Sequence, residues 1–315
     1  MPKKALLGQL ADVDVRLLRI FRSIADVGGI SAAELELNIG RSTISRHLKD
    51  LESRLGMTLC RRGRAGFSLT DEGRDVYEAT LRLLAALDDF RSSMDDVHKR
   101  MRGQVTIALH DKTVTNPDCH IHRAIREFSI LAPEVAVEMY IEPLNDVEKG
   151  VMEGRFQIGV VPMHRQSSSF VYHPLFQEPM HLYCGPFHPL FSQADGKATD
   201  EEIRGQKYAG LGYHSPNMEI GNRLGMTRHA TGYDQEAIAI LILSGRYIGY
   251  LPDHYAQQFI EKESMRLIGV NTFHYTCEFS AILRQSPRAS RVVATLLECL
   301  RQAHGPVPDQ QGDEV

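Results

Sequence analysis

The sequence predicts an N-terminal all-α winged helix-turn-helix with a linker helix, followed by a larger C-terminal α/β domain. Three observations carry this prediction. The stretch "NIGRSTISRHLKDLESRLG" (38–56) sets an apolar stripe, Ile44, Leu48, Leu51 and Leu55, behind a start rich in arginine and hydroxyl side chains. Residues 76–101 repeat their seam positions at alternating steps of four and three. Beyond residue 103, short β-rich runs alternate with amphipathic helices, as in a mostly parallel sheet.

The first helix carries Val15, Leu18, Ile20, Phe21, Ile24, Ala25 and Val27 on one face, and Gly28-Gly29 ends it. Ser31 with Glu34 three residues later reads as a capping box that opens a second helix, bearing Ala32, Ala33, Leu35 and Leu37. Asn38-Ile39-Gly40 forms the turn, and the quoted stretch is the third helix. Its dry stripe holds it to the other two. The set Arg41, Ser42, Thr43, Ser45 and Arg46 then points outward, where such a helix fits a DNA major groove. Arginine can bond guanine edges bidentately, and serine and threonine can bond bases or phosphates. "MTLCRRGRAGFSLT" (57–70) reads as a small β-wing with Arg61, Arg62 and Arg64 at or near its tip.

Thr70 opens a long helix whose positions Val76, Thr80, Leu83, Leu87, Phe90, Met94, Val97 and Met101 form a heptad seam, and Gly103 ends it. Such spacing favours a dimerising coiled coil over a helix packed only on its own domain. Strands follow at 104–110, 135–141 and 156–162, with helices around Ile121–Phe128 and at 144–154. "FVYHPLF" and "MHLYCGP" read as two antiparallel strands. "KYAGLG", "RHATG" and "YIGYLP" are short strands among helices near 199–204, 216–224 and 234–244. "FSAILR" (279–284) and a helix over 290–303 close the chain, and the Pro/Gly/acid-rich tail, 305–315, is expected to be disordered.

The bulk properties narrow the function. The 315 residues are 43% hydrophobic and 24% charged, with a net charge of −4, which fits about two ordinary globular domains. Residues 41–66 nevertheless hold seven basic side chains against two acids, a local footprint for phosphate on an acidic chain. The longest uninterrupted apolar run, 237–243, is far short of the roughly 18 residues of a membrane span. The N-terminus meets Asp12 and Asp14 too early for a signal peptide. Five scattered cysteines (60, 119, 184, 277, 299) without a CxxC read as reduced thiols in a cytosolic protein.

The letters Phe21, Ala25, Ser31, Ala33, Leu37, Ser45-Arg46, Leu51-Glu52, Leu55-Gly56, Leu59, Arg62, Leu69-Thr70 and Gly73 resemble the DNA-binding module of LysR-type transcriptional regulators. The α/β remainder agrees with the two-lobed, periplasmic-binding-protein-like part of that family. The resemblance implies residues 1–69 as the DNA-binding domain, 70–102 as linker and dimerisation helix, and 103–304 as the effector domain. Its lobe I would be about 103–163 and 270–304, and its lobe II about 164–269. It implies a cytoplasmic homodimer or homotetramer on double-stranded promoter DNA, controlled by a small-molecule inducer, with RNA polymerase as a further partner and no cofactor. Lys49 and Ser31 would position phosphates, and Arg62 and Arg64 would bring the wing to the minor groove or backbone. Cys60 stands where the family usually has Phe, Arg41 where it has Gln or Ser, and Gln157 where it has an acid.

In a two-lobed α/β receptor the ligand lies at the carboxyl ends of the strands. That rule selects His110, Asp111, Lys112, Thr113, Glu142, Met163 and His164 from the first lobe. From the second it selects Gly212, Tyr213, His214, the turn from Thr231 to Tyr233, and Tyr250. The two acids fit a zwitterion, a hydroxylated ring or a sugar-like molecule better than a pure anion, although Asp111 could equally cap the following helix.

Other chemistry finds less support. There is no GxSxG, Walker loop or HExxH, and "GLGYHS" (210–215) lacks the third glycine of a dinucleotide fingerprint, so catalysis is not expected. "CHIH" (119–122) offers metal-ligating residue types, but neighbours on a helix diverge, and no metal is expected. Thiol sensing within the same family is the remaining alternative, against buried structural thiols.

Overall fold

A computed structural model of the chain describes residues 9–63, 66–97, 101–193, 198–286 and 289–305. The chain forms two compact units, the first ending at Met94. In the first, α1 (Asp12–Asp26), α2 (Ile30–Leu37) and α3 (Arg41–Leu55) are followed by the hairpin β1 (Cys60–Gly63) and β2 (Gly66–Leu69), then by α4 (Asp71–Val97). Left-handed residues punctuate it: Gly28 after α1, Asn38 in the turn, and Gly56 at the end of α3. The core is Leu17, Ile20, Phe21, Ile24, Ala33, Ile44, Leu48, Leu51, Leu59 and Cys60, so the stripe of α3 is dry as read. Cys60 simply fills a core position.

Several local expectations are corrected. Leu17 belongs to the buried face of α1, whereas Val27 is exposed, and Leu35 of α2 stands 87% exposed. Ser31 is no cap. Gly29 precedes α2 and no side chain closes that end. Glu34 instead accepts the N–H of Arg41 (3.2 Å), joining the start of α3 to α2. Thr70 does open α4: its hydroxyl accepts the Gly73 N–H (2.8 Å) and donates to the Thr58 carbonyl (2.7 Å). Gly73 is glycine because a Cβ there would sit 2.0 Å from the Leu59 carbonyl oxygen.

The second unit is one nine-stranded mixed sheet with helices. In chain order it contains β3 (Gly103–Leu109), α5 (Ile121–Leu131), β4 (Val135–Ile141), α6 (Leu144–Glu153), β5 (Ile158–Pro162), β6 (Phe170–Cys184), α7 (Asp200–Arg204), β7 (Tyr208–Leu211), α8 (Pro216–Arg223), β8 (Arg228–Gly232), α9 (Gln235–Leu243), β9 (Ile248–Pro252), α10 (Asp253–Ile260), β10 (Arg266–Ile268), β11 (His274–Arg284) and α11 (Arg291–His304). The strand order is β4-β3-β5-β11-β6-β9-β7-β8, with β10 also on β6. β3, β4 and β5 are parallel to one another, as are β7, β8 and β9. The long antiparallel pair β6–β11 runs between the two sets.

Here too the structure differs from the reading. The two strands expected around 170–186 are the single strand β6. Pro174 and Pro179 within it each forfeit only their own ladder bond, and the register shifts between Phe279 and Ser280 of β11. Gly103, expected to end the linker helix, is the first residue of β3, with φ +96°. α10 and β10 were not anticipated. The tail beyond Gly305 lies outside the described residues.

Candidate nucleic-acid interface and effector crevice

At the start of α3, Arg41, Ser42, Arg46 and Lys49 are exposed, Thr43 and Ser45 half-buried, and Ile44 and Leu48 face the core. Among the described residues Arg41, Arg46 and Lys49 form no ion pair, so their charge is available to phosphate and base edges. Ser31 is exposed on α2. Arg62 lies on β1, and Arg64 lies outside the described residues. Glu52, noted only as one letter of the resemblance, accepts the N–H of Leu59 (2.8 Å) and so fixes the wing to α3.

The seam of α4 is not uniform. Val76 packs on the first unit's core, and Thr80 is buried in its own chain, its hydroxyl donating to the Val76 carbonyl (2.7 Å). Leu83 and Leu87 are half-buried, while Phe90 and Met94 are 63% and 44% exposed. A second pair, Leu81 and Leu84, is buried. Met101, read as the seam's end, packs against the α/β core. Leu83, Leu87, Phe90 and Met94 are thus the seam positions that are not buried within the chain.

In the α/β unit the loop after β3 reaches the amino ends of α9 and α10. Asp111 Oδ2 accepts the Gln235 N–H (3.0 Å), the first N–H of α9. Asp111 therefore caps a helix, but α9 rather than the one that follows it. Lys112 Nζ pairs with Glu236 (2.9 Å) and lies 5.3 Å from the Tyr255 ring centroid. Thr115 Oγ1 and His254 Nδ1 are 2.8 Å apart, and His254 Nε2 meets the Glu178 carboxylate at 2.9 Å. Burial pushes the Glu178 carboxyl up against the opposing pull of His254. His110 is buried between the rings of Phe279 and Tyr213, with the Tyr213 hydroxyl 3.5 Å from its Nε2. Burial, with Asp111 and Asp234 nearby, raises the Tyr213 phenol. Thr113 is buried in the same loop.

Most of the expected crevice residues do gather. His164 and His214 face each other, ring centroids 5.2 Å apart. Burial lowers the His164 imidazole. Thr231 and Tyr233 close around Gly212, where a Cβ would meet each at 2.7 Å. Met163 and Glu142 end their strands, donating N–H bonds to Glu278 (2.7 Å) and Leu109 (3.0 Å) carbonyls. Tyr250 is the exception: it is fully buried and packs edge-on against Tyr208 and Tyr275, so it is core. Gln235, Glu236, His254, Tyr255 and Glu178 were missed. A cap-like Asp234 ahead of an apolar run, at the carboxyl end of a strand, was the available signal for α9.

All five cysteines are buried and none forms a disulfide, and burial raises the thiols of Cys119, Cys184 (to about 12), Cys277 and Cys299. Such thiols are poor nucleophiles. In "CHIH" the His120 N–H donates to His304 Nε2 (2.9 Å), and the two rings stack. Among the described residues no group of three or more His, Cys, Asp or Glu side chains could hold a metal ion, and no helix is long and apolar enough to cross a membrane.

Comparison with known proteins agrees with both regions. The LysR-family bacterial regulatory helix-turn-helix matches residues 15–74, and the LysR substrate binding domain matches 98–305. The HTH-type transcriptional activator BauR of Pseudomonas aeruginosa is 40% identical over 294 residues, 93% of this chain and 96% of its own length. The fold resembles the crystal structure of CbnR, a LysR family transcriptional regulator, with TM-score 0.61, 18% identity and coverage of 93% and 99% of the two chains. It also resembles a full-length OxyR variant from Pseudomonas aeruginosa, with TM-score 0.60, 15% identity and coverage of 93% and 96%. The chain belongs to the LysR family: it is a DNA-binding transcriptional regulator with an effector-binding domain, and not an enzyme.

Proposed function

We propose that this regulator works from the cytoplasm as a homodimer, or a dimer of dimers, joined through Leu83, Leu87, Phe90 and Met94 of α4. Each first unit lays α3 in a major groove upstream of a target gene. Arg41, Ser42, Thr43, Ser45 and Arg46 read bases, Ser31 and Lys49 hold phosphates, and Arg62 and Arg64 bring the wing to the backbone or minor groove. The observation that carries this reading is the division of α3 into a dry face and an exposed Arg/Ser/Thr face without ion pairs.

A small molecule in the crevice around Asp111, Thr113, Tyr213 and the start of α9 sets the activity. Ligand-dependent tightening of the lobes shifts the population of one DNA-bound arrangement. The name of its relative BauR supports activation over repression, with RNA polymerase as the beneficiary. DNase footprinting upstream of the gene's own neighbours, with and without cell metabolites, tests the reading. Protection of two half-sites one or more helical turns apart is expected.

A further inference from the structure

We infer that the effector bears a protonated amino group, held in the crevice against the Asp111 carboxylate and the Gln235 side-chain carbonyl. This rests on the crevice being the effector site.

A helix N-terminus ordinarily invites an anion, because its first N–H groups lack partners. In α9 two of those donors are taken by the protein's own carboxylates. Asp111 accepts the Gln235 N–H at 3.0 Å, and Asp234 accepts the Ala237 N–H at 2.7 Å. A ligand carboxylate would therefore meet two negative charges at this helix end. The one lysine of the loop is committed to Glu236 and to the face of Tyr255.

Two acceptors remain unpaired beside this helix end, along with Nδ1 of the neighbouring His110. Asp111 Oδ1 is buried without a hydrogen bond, lying 3.2 Å from His110 Nε2 but off the line of any bond. Gln235 is 4% exposed, and its Oε1 is also buried without a partner. Buried acceptors left empty are costly, so a donor is what the pocket lacks. An ammonium group supplies three N–H donors and the missing positive charge, and bonds to a carboxylate are the stronger, charge-assisted kind. Tyr213 and Tyr255 lie close enough to feel the Asp111 charge.

The test uses the full-length protein and linear probes of two to four carbons: primary amines, amino acids, plain carboxylates and the N-acetylated amino acids, with glucose as an uncharged hydroxyl donor. Thermal shift and then calorimetry should detect the amine-bearing compounds only. N-acetylation should abolish their effect in the wild-type protein, and Asp111→Asn, which keeps an acceptor for Gln235, should weaken them roughly tenfold or more. Binding of carboxylates or glucose in preference to amines, no response to any amine, or amine binding indifferent to N-acetylation overturns the inference. An operator footprint on the same preparation separates the two readings. A footprint without an amine response refutes only the ligand class, whereas loss of the footprint refutes the regulator reading beneath it.

Discussion

The Asp14 carboxylate of α1 is buried against the Arg54 guanidinium of α3, which grips it with two N–H groups, one of them at 2.9 Å. The Ala11 N–H adds a third bond at 2.9 Å. This pair ties the end of the recognition helix to the first helix, while Glu34 fixes its start. The Arg54 bonds and the Ala11 N–H hold the Asp14 carboxyl below the ordinary carboxylate range. A group lowered in the folded state contributes stability above its unfolded value and loses it as pH falls through the folded one. Arg54→Met should therefore lower the melting temperature at pH 7. The gap to wild type should narrow as pH falls through the folded-state values of Asp14, where its carboxyl takes up a proton. Circular dichroism melts across that range check it, and a gap that stays constant would assign the effect to packing alone.

Glu178 and His254 make the opposite case. Burial raises the Glu178 carboxyl, so its burial penalty is absent below the unfolded value and grows as pH rises through the folded one. His254→Ala leaves that carboxylate unpartnered and should cost about 3 kcal/mol near pH 7, on the scale of breaking a buried pair. The cost should shrink at lower pH, as Glu178 takes up a proton. Urea unfolding at neutral and lower pH measures this, with Glu178→Gln/His254→Ala as a control whose cost should be pH-independent.

The exposed end of the α4 seam predicts a division of labour. Phe90→Glu and Met94→Glu should leave the protomer folded but weaken the dimer by about 2 kcal/mol or more each, because a charge would enter a dry interface. Leu84→Ala should instead destabilise the protomer by about 2–4 kcal/mol, as a buried leucine. Sedimentation equilibrium and thermal unfolding together distinguish these outcomes. An unchanged dimer constant for both glutamate variants would remove Phe90 and Met94 from the interface.

Local periodicity made the first unit legible. The stripe Ile44, Leu48, Leu51 needed only the helical repeat, and Thr70 announced α4 by its residue type. Glu34 shows the limit: its spacing from Ser31 satisfies a capping box, but a competing partner, the Arg41 N–H, wins it. In the α/β unit the strand-end rule found the right neighbourhood, His110 to Thr113. It could not supply the partners, because Gln235 and His254 lie 124 and 139 residues away from Asp111 and Thr115. Tyr250 was assigned to the crevice by its place near a strand end. Every residue of β9 is buried, so a place near the strand's end put Tyr250 in the core.

The central claim is that the polar face of α3 reads operator sequence. The direct measurement is the affinity of Arg46→Ala for its operator and for unrelated duplexes of equal length, at several salt concentrations. A loss of about 1–3 kcal/mol confined to the operator, with an unchanged salt slope on unrelated DNA, is the predicted result. An equal loss on every sequence, or no loss on the operator, would contradict it.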